Sequence, residues 1–376
     1  MNSQSNLIEL AKLFLKLGTI GFGGPAAHIA MMRDEVVKKR KWMDEQHFLD
    51  LIGATNLIPG PNSTEMTMHI GYERAGWKGL VVAGLSFIIP AVLITGLFAF
   101  IYKEYGQLPQ VQPFIYGIKP AIIAIILAAV YPLARKSLKS IELGILGIIA
   151  LSASLIGFNE IYVLFGTGFI VVALAALRNK KVKSAHGLFP LPLLNISGAG
   201  LLSISSFSLF FTFLKIGAIL YGSGYVLFAF LDTELVAKGI ISRQQLIDAI
   251  AVGQFTPGPV FSSVTFIGYQ INNFQGALLA TIGIFLPSFL FVALLNPLVR
   301  KMRNSKFVSV FLDAVNVASV AVIVAICYQM GKDTITGWRT ITIAIISLAS
   351  VFGLKKVNSA IIVLGGSILG YLLSLV

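Results

Sequence analysis

The stretch of sequence that decides the fold is NLIPGPNSTEMTMHIGY, residues 56–72. Its Pro-Gly-Pro triplet interrupts a helical pattern, because Pro59 disfavours helical backbone before it and so ends one helix at Ile58. Pro61 suits the first position of a new helix. The triplet therefore predicts a sharp turn between two helices.

Polar side chains follow this turn directly. Asn62, Ser63 and Thr64 lie at the start of the second helix, where the first backbone amides have no partner within the helix. A helix N-terminus also carries roughly half a positive charge. Together these features indicate a binding site for a small anion. The alternative is structural: Ser and Thr hydroxyls often satisfy backbone groups that a kink releases in a membrane helix.

The chain contains this pattern twice, since FTPGPVFSS at residues 255–263 repeats the turn. Other matches join the two halves at spacings of 197 to 199 residues. They are Lys16 with Lys215, Asp50 with Asp248, Pro59 with Pro257, Gly79 with Gly276, and Pro90 with Pro287. Matches in this order indicate a duplication. We expect repeats at residues 1–178 and 198–376, joined by a polar, cytoplasmic linker at 179–197.

The composition is that of an integral membrane protein. Of the 376 residues, 56% are hydrophobic and only 12% are charged, and the mean hydropathy is +0.85; a soluble domain is about 25% charged. The apolar runs are long enough for helices rather than barrel strands. The net charge of +13 comes from short basic clusters between these runs. We interpret the clusters as topology signals and expect no nucleic-acid partner.

Several kinds of site are excluded or disfavoured. Cys327 is the only cysteine, which excludes disulfide frameworks and cysteine metal clusters. The sequence has neither a Gly-Lys-Ser/Thr phosphate loop nor a His-Glu-x-x-His zinc motif, and the glycines at residues 21–24 do not follow a strand. We therefore expect no catalytic residues, no metal and no cofactor. A removable signal peptide is not expected either.

Two apolar helices are predicted to be broken. The run at residues 7–30 is interrupted by GFGGP at 21–25, where glycines weaken the helix and the proline restarts it. In the second half, the run at 207–230 is interrupted at 222–224. The charged stretch 33–41 is expected to form a loop.

A re-entrant hairpin and further spans complete each half. Residues 44–72 are too short and too polar for two full spans, which predicts a helical hairpin that turns inside the membrane. Asp44 and Ser242 are the expected caps where the two hairpins begin. Further spans are predicted at 76–101, 113–133, 141–157 and 160–178, and at 276–297, 308–330, 338–353 and 358–376. The fold class is thus an all-α polytopic membrane protein with two repeats, each with about five crossing helices, the first one broken, plus a hairpin.

The basic clusters predict the orientation of the halves. Clusters at 33–41, 135–139 and 178–183 alternate with loops that are poor in basic residues. In the second half the rich positions have shifted, to 300–306 and 355–356. An odd number of crossings per half together with this shift predicts inverted repeats, with both termini outside. Inverted repeats are a design of secondary transporters, which bind substrate near the midplane where broken helices meet.

Two lysines occupy equivalent positions in otherwise apolar helices, Lys16 and Lys215. A charge at the centre of a membrane helix costs about 2.5 to 3.5 kcal/mol on insertion scales. One interpretation is that they offset the charge of a bound anion. The alternatives are that they extend to the membrane surface, or that they pair with Asp50 and Asp248.

Glu65 and His28 are candidates for proton coupling. Glu65 lies one turn into the hairpin helix, where the second half has a serine. Its alternative role is that of a first-turn acid that favours the helix dipole. A histidine titrates near neutral pH, although single histidines are more often packed in the interior.

The predicted substrate site combines these elements. Up to four helix N-termini converge on it, after Gly24, Pro61, Gly224 and Pro259. The residues expected to bind the substrate are Lys16, Gly23, Gly24, Pro25, Asn62, Ser63, Thr64, Lys215, Thr256, Ser262 and Ser263. The helix-break motifs that shape the site are Pro59, Gly60, Pro61, Pro257, Gly258 and Pro259.

The sequence resembles the chromate ion transporter family in its long, two-domain form. The resemblance rests on FGGP at residues 22–25, NLIPGPNSTE at 56–65 and FTPGP at 255–259, and it covers most of both halves. It implies a secondary carrier that expels chromate from the cytoplasm and gives chromate resistance, with sulfate as a structural analogue. The second half departs from the pattern at YGSG, residues 221–224, which lacks the proline.

We therefore expect a multi-pass protein of the cytoplasmic membrane that exports chromate and is driven by the proton motive force. Protons are the candidate coupling ion, and a homodimer is a candidate assembly. Two alternatives stay open: a carrier of sulfate or another inorganic anion, and a membrane enzyme or scaffold subunit without transport.

Overall fold

Every regular element that the structure describes is helical. The computed structural model describes residues 3–178, 206–222, 224–303, 306–354 and 357–375. The predicted linker at 179–197 lies outside these ranges. The helices are α1 Ser3–Ile20, α2 Gly24–Arg33, α3 Glu45–Thr55, α4 Asn62–Tyr105, α5 Gln112–Ser137, α6 Ile141–Ile156, α7 Glu160–Arg178, α8 Ser206–Ile219, α9 Val226–Leu231, α10 Arg243–Phe255, α11 Ser263–Arg303, α12 Lys306–Thr334, α13 Trp338–Gly353 and α14 Ser359–Ser374.

The two predicted helix breaks are confirmed. The first lies between α1 and α2, and the second between α8 and α9. The loop expected at residues 33–41 is wrong, because α2 continues as a π-helical turn, Asp34–Lys39, and α9 continues likewise as Asp232–Val236. The charges that suggested a loop bind one another across the turn: Lys39 donates to the Glu35 carboxylate at 3.0 Å.

Each predicted hairpin is a pair of helices joined at a Pro-Gly-Pro turn. Asp44 caps α3 by accepting from the His47 amide at 2.7 Å, and Ser242 caps α10. The first helix ends at Thr55, three residues before the predicted end at Ile58. Pro61 has an extended backbone and is the residue before α4, so its predicted place as the first helical residue is also wrong. In the second hairpin, a short 3-10 helix, Val260–Ser262, precedes α11.

Two long helices, α4 and α11, are each two limbs joined by a sharp bend. The backbone leaves the helical region at Ala75 and Gly76, and again at Asn272 and Asn273, with closely similar angles: Gly76 has φ 60 and ψ −148, and Asn273 has φ 46 and ψ −144. Glycine and asparagine are the residues that tolerate positive φ best. The bend ends the hairpin limb and begins the predicted spans at 76–101 and 276–297.

The remaining predicted spans coincide with helices α5 to α7 and α12 to α14. Five segments are long and apolar enough to cross a membrane within the described ranges. They are Asn62–Tyr105, Gln112–Ser137, Glu160–Leu177, Val260–Leu294 and Phe307–Thr334. The apolar helices Ile141–Ile156, Phe207–Ile219, Trp338–Gly353 and Ser359–Ser374 are shorter.

The packing places polar turns inside and apolar side chains outside. In each half the first helix packs on the long bent helix, α1 on α4 and α8 on α11, and the two long helices pack on each other. Large apolar side chains face outward, such as Ile141, which is 85% exposed. Both Pro-Gly-Pro turns are buried. This is the distribution expected of a helix bundle surrounded by lipid.

Candidate functional site

Each Pro-Gly-Pro turn is hydrogen-bonded to the broken helix of the other half. The Gly60 amide donates to the Leu220 carbonyl at 2.9 Å, and the Gly258 amide donates to the Gly21 carbonyl at 2.8 Å. Leu220 and Gly21 each lie where the first segment of a broken helix ends. Because an unpaired amide or carbonyl is costly inside a bilayer, these two bonds fix the turns against the breaks.

Both turns require glycine. Gly60 and Gly258 have φ angles of 137 and 90, where side chains are strained. A Cβ on Gly258 would lie 2.8 Å from the Ala91 side chain. A Cβ on Gly60 would collide with the Glu65 carboxyl and the Ser288 hydroxyl. The glycines therefore allow each turn to enter a space that the other half surrounds closely.

Glu65 is the most unusual side chain of this region. It is fully buried, and neither carboxyl oxygen has a hydrogen bond to the described residues. The Ser288 hydroxyl lies beside Gly60, as the Glu65 carboxyl does, and it too is buried with no hydrogen bond to the residues that the structure describes. The structure thus places the predicted proton-coupling carboxyl directly at the turn.

His28 joins the first broken helix to the hairpin. Its ring is buried, with Nε2 2.9 Å from the Gly21 carbonyl and Nδ1 3.3 Å from the Ser63 hydroxyl. A neutral imidazole satisfies both contacts when Nε2 donates to the carbonyl and Nδ1 accepts from the hydroxyl. His28 and Ser63 are therefore brought together, and the Gly21 carbonyl accepts from both His28 and Gly258.

The predicted hydroxyls and amide differ in what they contact. Asn62 donates to Asn56 at 2.8 Å, Ser262 accepts from Thr95 at 3.2 Å, and Thr256 donates to a carbonyl of its own helix. Thr64 and Ser263 are fully buried, and neither hydroxyl has a hydrogen bond to the described residues. Among the predicted site residues, these two hydroxyls are therefore available for a ligand.

The breaks of the two halves lie next to each other. Gly23, with φ 101, precedes α2, and Pro25 stands in its first turn. A Cβ on Gly24 would lie 3.7 Å from the Tyr225 hydroxyl, at the second break. Gly24 and Pro25 are half-buried and Gly23 is exposed. The first break therefore opens from the buried turn toward the surface.

Lys16 and Lys215 are paired with glutamates rather than with the aspartates considered above. The Lys16 ammonium lies 3.3 Å from Glu35, and the Lys215 ammonium lies 2.6 Å from Glu234. The two glutamates are buried on the π-helical turns, whereas 54% of the Lys16 side chain is exposed. Each lysine thus already has a counter-charge, and neither is brought to the Pro-Gly-Pro turns.

The glutamate of the first π-helical turn is held ionised. Burial raises the pKa of the Glu35 carboxyl, but hydrogen bonds from Lys39, Arg40 and Lys16 outweigh this and lower the pKa to about 2. Burial also opposes ionisation of Glu234, and hydrogen bonds from Lys215 and Lys238 lower its pKa in the same way. Both carboxylates lie outside the candidate membrane spans.

Sequence reasoning missed three partners in this region. Ser288 lies beside Glu65, Thr95 pairs with Ser262, and Tyr225 lies beside Gly24. Ser288 follows Pro287 as Ala91 follows Pro90, so a polar residue at a matched position in an apolar span was the available signal. No cluster of three or more His, Cys, Asp or Glu side chains that could hold a metal occurs among the described residues.

Broken helices and buried polar turns within an apolar bundle are the architecture of helical membrane transporters. A family model described as "Chromate transporter" matches residues 8–176 and 207–371. The chain therefore belongs to the chromate transporter family. It is a family of membrane transporters, which points away from an enzyme.

Three similar proteins carry names of the same kind. A probable chromate transport protein from Synechococcus elongatus is 30% identical over 97% of this chain and 95% of its own length. A chromate transport protein from Cupriavidus metallidurans is 30% identical over 97% of this chain and 92% of its own. Another from Pseudomonas aeruginosa is 27% identical over the same shares. No solved structure matches the chain.

The pairing of Lys16 predicts an order of effects on stability. Glu35→Gln leaves Lys16, Lys39 and Arg40 without their shared carboxylate, whereas Lys16→Gln leaves Glu35 with two cations. We expect Glu35→Gln to lower the melting temperature of the detergent-solubilised protein more than Lys16→Gln does. Glu234→Gln and Lys215→Gln should follow the same order.

The same variants separate the structural role from the predicted anion contact. Lys16→Gln and Lys215→Gln should retain at least half of the wild-type chromate binding. Loss of binding in the lysine variants, with the glutamine-for-glutamate variants unaffected, would contradict the assignment of the lysines to ion pairs.

Proposed function

We propose that this protein is a secondary active transporter that exports chromate across the cytoplasmic membrane, driven by the proton motive force, and so gives chromate resistance. The observation that carries the proposal is the pair of crossed hydrogen bonds, Gly60 to Leu220 and Gly258 to Gly21. They hold two polar turns and two helix breaks together in the centre of the bundle. The names of the three relatives support chromate as the substrate.

We further propose that the halves are inverted repeats that rock about this centre. The matched bends in α4 and α11 and the two Lys–Glu pairs at a spacing of 199 residues support the duplication. One ion pair recurs with its signs exchanged: Arg33 with Glu45 in the first half, and Asp232 with Arg243 in the second. Alternating access in such proteins comes from movement of one repeat against the other around a fixed site.

The anion is proposed to bind beside the two turns. The start of α4 and the 3-10 helix before α11 provide backbone amides and a partial positive charge. The unpaired hydroxyls of Thr64 and Ser263 can donate hydrogen bonds to the oxygen atoms of a tetrahedral dianion. Lys16 and Lys215 are left out of this shell, because Glu35 and Glu234 already hold them.

The driving force follows from the charge of the substrate. Moving one charge through the membrane potential is worth about 2.3 kcal/mol per 100 mV, so a dianion that leaves a negative interior gains about twice that amount. Glu65 is the proposed proton carrier, because an unpaired carboxylate is costly in an apolar interior and a protonated carboxyl is not. His28 links this carboxyl's helix to the first break through Ser63.

A carrier of sulfate or another inorganic anion is the second candidate. Sulfate has the same shape and charge as chromate, so hydroxyls and helix ends bind either. Competition between the two anions during transport separates the candidates. A membrane enzyme or scaffold subunit would instead show no anion flux at all.

Everted membrane vesicles provide the direct test of export. Vesicles that contain the protein should take up labelled chromate faster than vesicles without it, and dissipation of the membrane potential should abolish the difference. Equal uptake by both kinds of vesicle would overturn the proposal. Complete inhibition by a small excess of sulfate, with faster flux of sulfate itself, would favour the second candidate.

Thr64→Val tests the proposed anion shell with little change of shape. A hydrogen bond to a charged group is worth about 1.5 to 3 kcal/mol, so loss of the hydroxyl should weaken chromate binding about tenfold or more. Thr67→Val is the matched control one turn further along, because the Thr67 hydroxyl already donates to the Thr64 carbonyl at 2.6 Å. Equal chromate affinity in the two variants would remove Thr64 from the shell.

A further inference from the structure

A buried ion pair connects the second hairpin to two helices of the first half. Asp248 of α10 is only 5% exposed. Its Oδ2 accepts a hydrogen bond from the Tyr102 hydroxyl of α4 at 2.7 Å. Its Oδ1 lies 3.5 Å from the Lys119 ammonium of α5, which donates to Gln244 at 2.7 Å. This cluster is separate from the Pro-Gly-Pro turns and takes no part in the function proposed above.

The two donors that contact Asp248 have no counterpart in the sequence at the matched positions of the other half. Asp50 is the match of Asp248 in the first hairpin and accepts a hydrogen bond from Gln46 at 3.1 Å. At the spacing of 197 residues, the match of Tyr102 is Val299 and the match of Lys119 is Asn316. Neither replacement can donate a charged hydrogen bond. The tyrosine and the lysine that contact Asp248 are therefore particular to the second hairpin.

The donors around Asp248 are those that bind oxyanions. An ammonium and a phenol hydroxyl, those of Lys119 and Tyr102, contact one buried carboxylate, and the exposed Gln244 amide oxygen accepts a hydrogen bond from the same ammonium. The contact with Lys119 is loose: Oδ1 has no hydrogen bond to the described residues, and its distance of 3.5 Å from the Lys119 ammonium compares with 2.6 Å between Lys215 and Glu234. The carboxylate therefore lies where an anion would bind, but it does not fully satisfy the hydrogen-bond donors around it.

The position of Lys119 gives access to the cluster. Its side chain is 16% exposed and bridges the exposed Gln244 and the buried Asp248, which stand one turn apart on α10. Thr95 of α4, the helix that carries Tyr102, donates to Ser262 of the 3-10 helix beside the second turn. The cluster thus lies between the surface and the second Pro-Gly-Pro turn along the same hairpin.

We propose that Lys119 and Tyr102 form a second binding site for the transported oxyanion, at which the Asp248 carboxylate stands in for the anion until a proton neutralises it. The inference rests on the function proposed above. When Asp248 is protonated, its ion pair with the Lys119 ammonium is lost, and Lys119 can pair with the incoming anion instead. Each anion bound at this site is therefore accompanied by one proton on Asp248.

Other titratable groups near Asp248 have their own partners or carry no charge. Tyr102 of α4 and Lys119 of α5 face it directly. Helices α9 and α14 and the 3-10 helix contain no Asp, Glu, Lys, Arg or His, and the α11 limb at 263–271 has Tyr269 as its titratable side chain. On the π-helical turn, Asp232 is paired with Arg243, and Glu234 with two lysines.

The test measures chromate binding by the purified full-length protein against pH, together with proton uptake from a weakly buffered solution. In the wild type, affinity should fall by up to tenfold for each unit of rising pH above the titration of the site, and binding should take up one proton. Asp248→Asn should bind chromate without proton uptake from the protein. The protonation of chromate itself is common to both proteins, so their difference reports Asp248.

Matched variants complete the design. Asp50→Asn, at the equivalent position of the other hairpin, should behave as the wild type. Lys119→Gln should weaken chromate binding about tenfold or more. Lys119→Arg keeps the positive charge and should retain most of the wild-type affinity, which shows that the loss in Lys119→Gln does not come from misfolding. The inference is overturned if Asp248→Asn takes up as many protons on chromate binding as the wild type does. It is also overturned if Glu65→Gln loses proton uptake while Asp248→Asn keeps it. The export proposal fails separately, if wild-type vesicles show no chromate flux.

Discussion

The structure depends on the need to satisfy backbone polar groups inside an apolar bundle. Glycines break two helices and Pro-Gly-Pro triplets turn two hairpins, and each interruption leaves amides and carbonyls without helical partners. The chain pairs the interruptions across its halves: Gly60 with Leu220, and Gly258 with Gly21. Neither half can complete its own turns, so the polar centre exists only when both halves are folded together.

Charges within the bundle divide into those that are satisfied and those that are not. Glu35 and Glu234 are buried but surrounded by cations, and they hold the π-helical turns to α1 and α8. Glu65 is buried beside Gly60 and the Ser288 hydroxyl, and one Asp248 oxygen has no hydrogen bond to the part of the chain that the structure describes. Structural ion pairs are completed in a stable fold, whereas an incomplete buried group is costly and persists where another ion can occupy the site.

Local rules on proline, glycine and capping predicted the breaks, the hairpins and the caps at Asp44 and Ser242. They failed where distant residues decide. The charged stretch 33–41 contains a π-helical turn at 34–39, and its Glu35 is paired with Lys16, 19 residues earlier in the chain, as well as with its neighbours Lys39 and Arg40. Lys16 was expected to contact the anion because it lies in an apolar helix, whose sequence does not reveal that Glu35 is its partner. Lys119 and Tyr102 were not predicted as site residues, because only the fold places them beside Asp248.

The most direct test asks whether the second turn lies against the first half inside the membrane. Thr95 and Ser262 are both buried, with their hydroxyls 3.2 Å apart. In a Cys327→Ser background, Thr95→Cys with Ser262→Cys should form a disulfide on mild oxidation in native membranes, so that a chain cut in the 179–197 segment stays joined. Leu97→Cys, at an outward position that is 59% exposed, is the control partner for Ser262→Cys and should not cross-link. If the buried pair cross-links no more than the control pair does, the two halves do not share a polar centre.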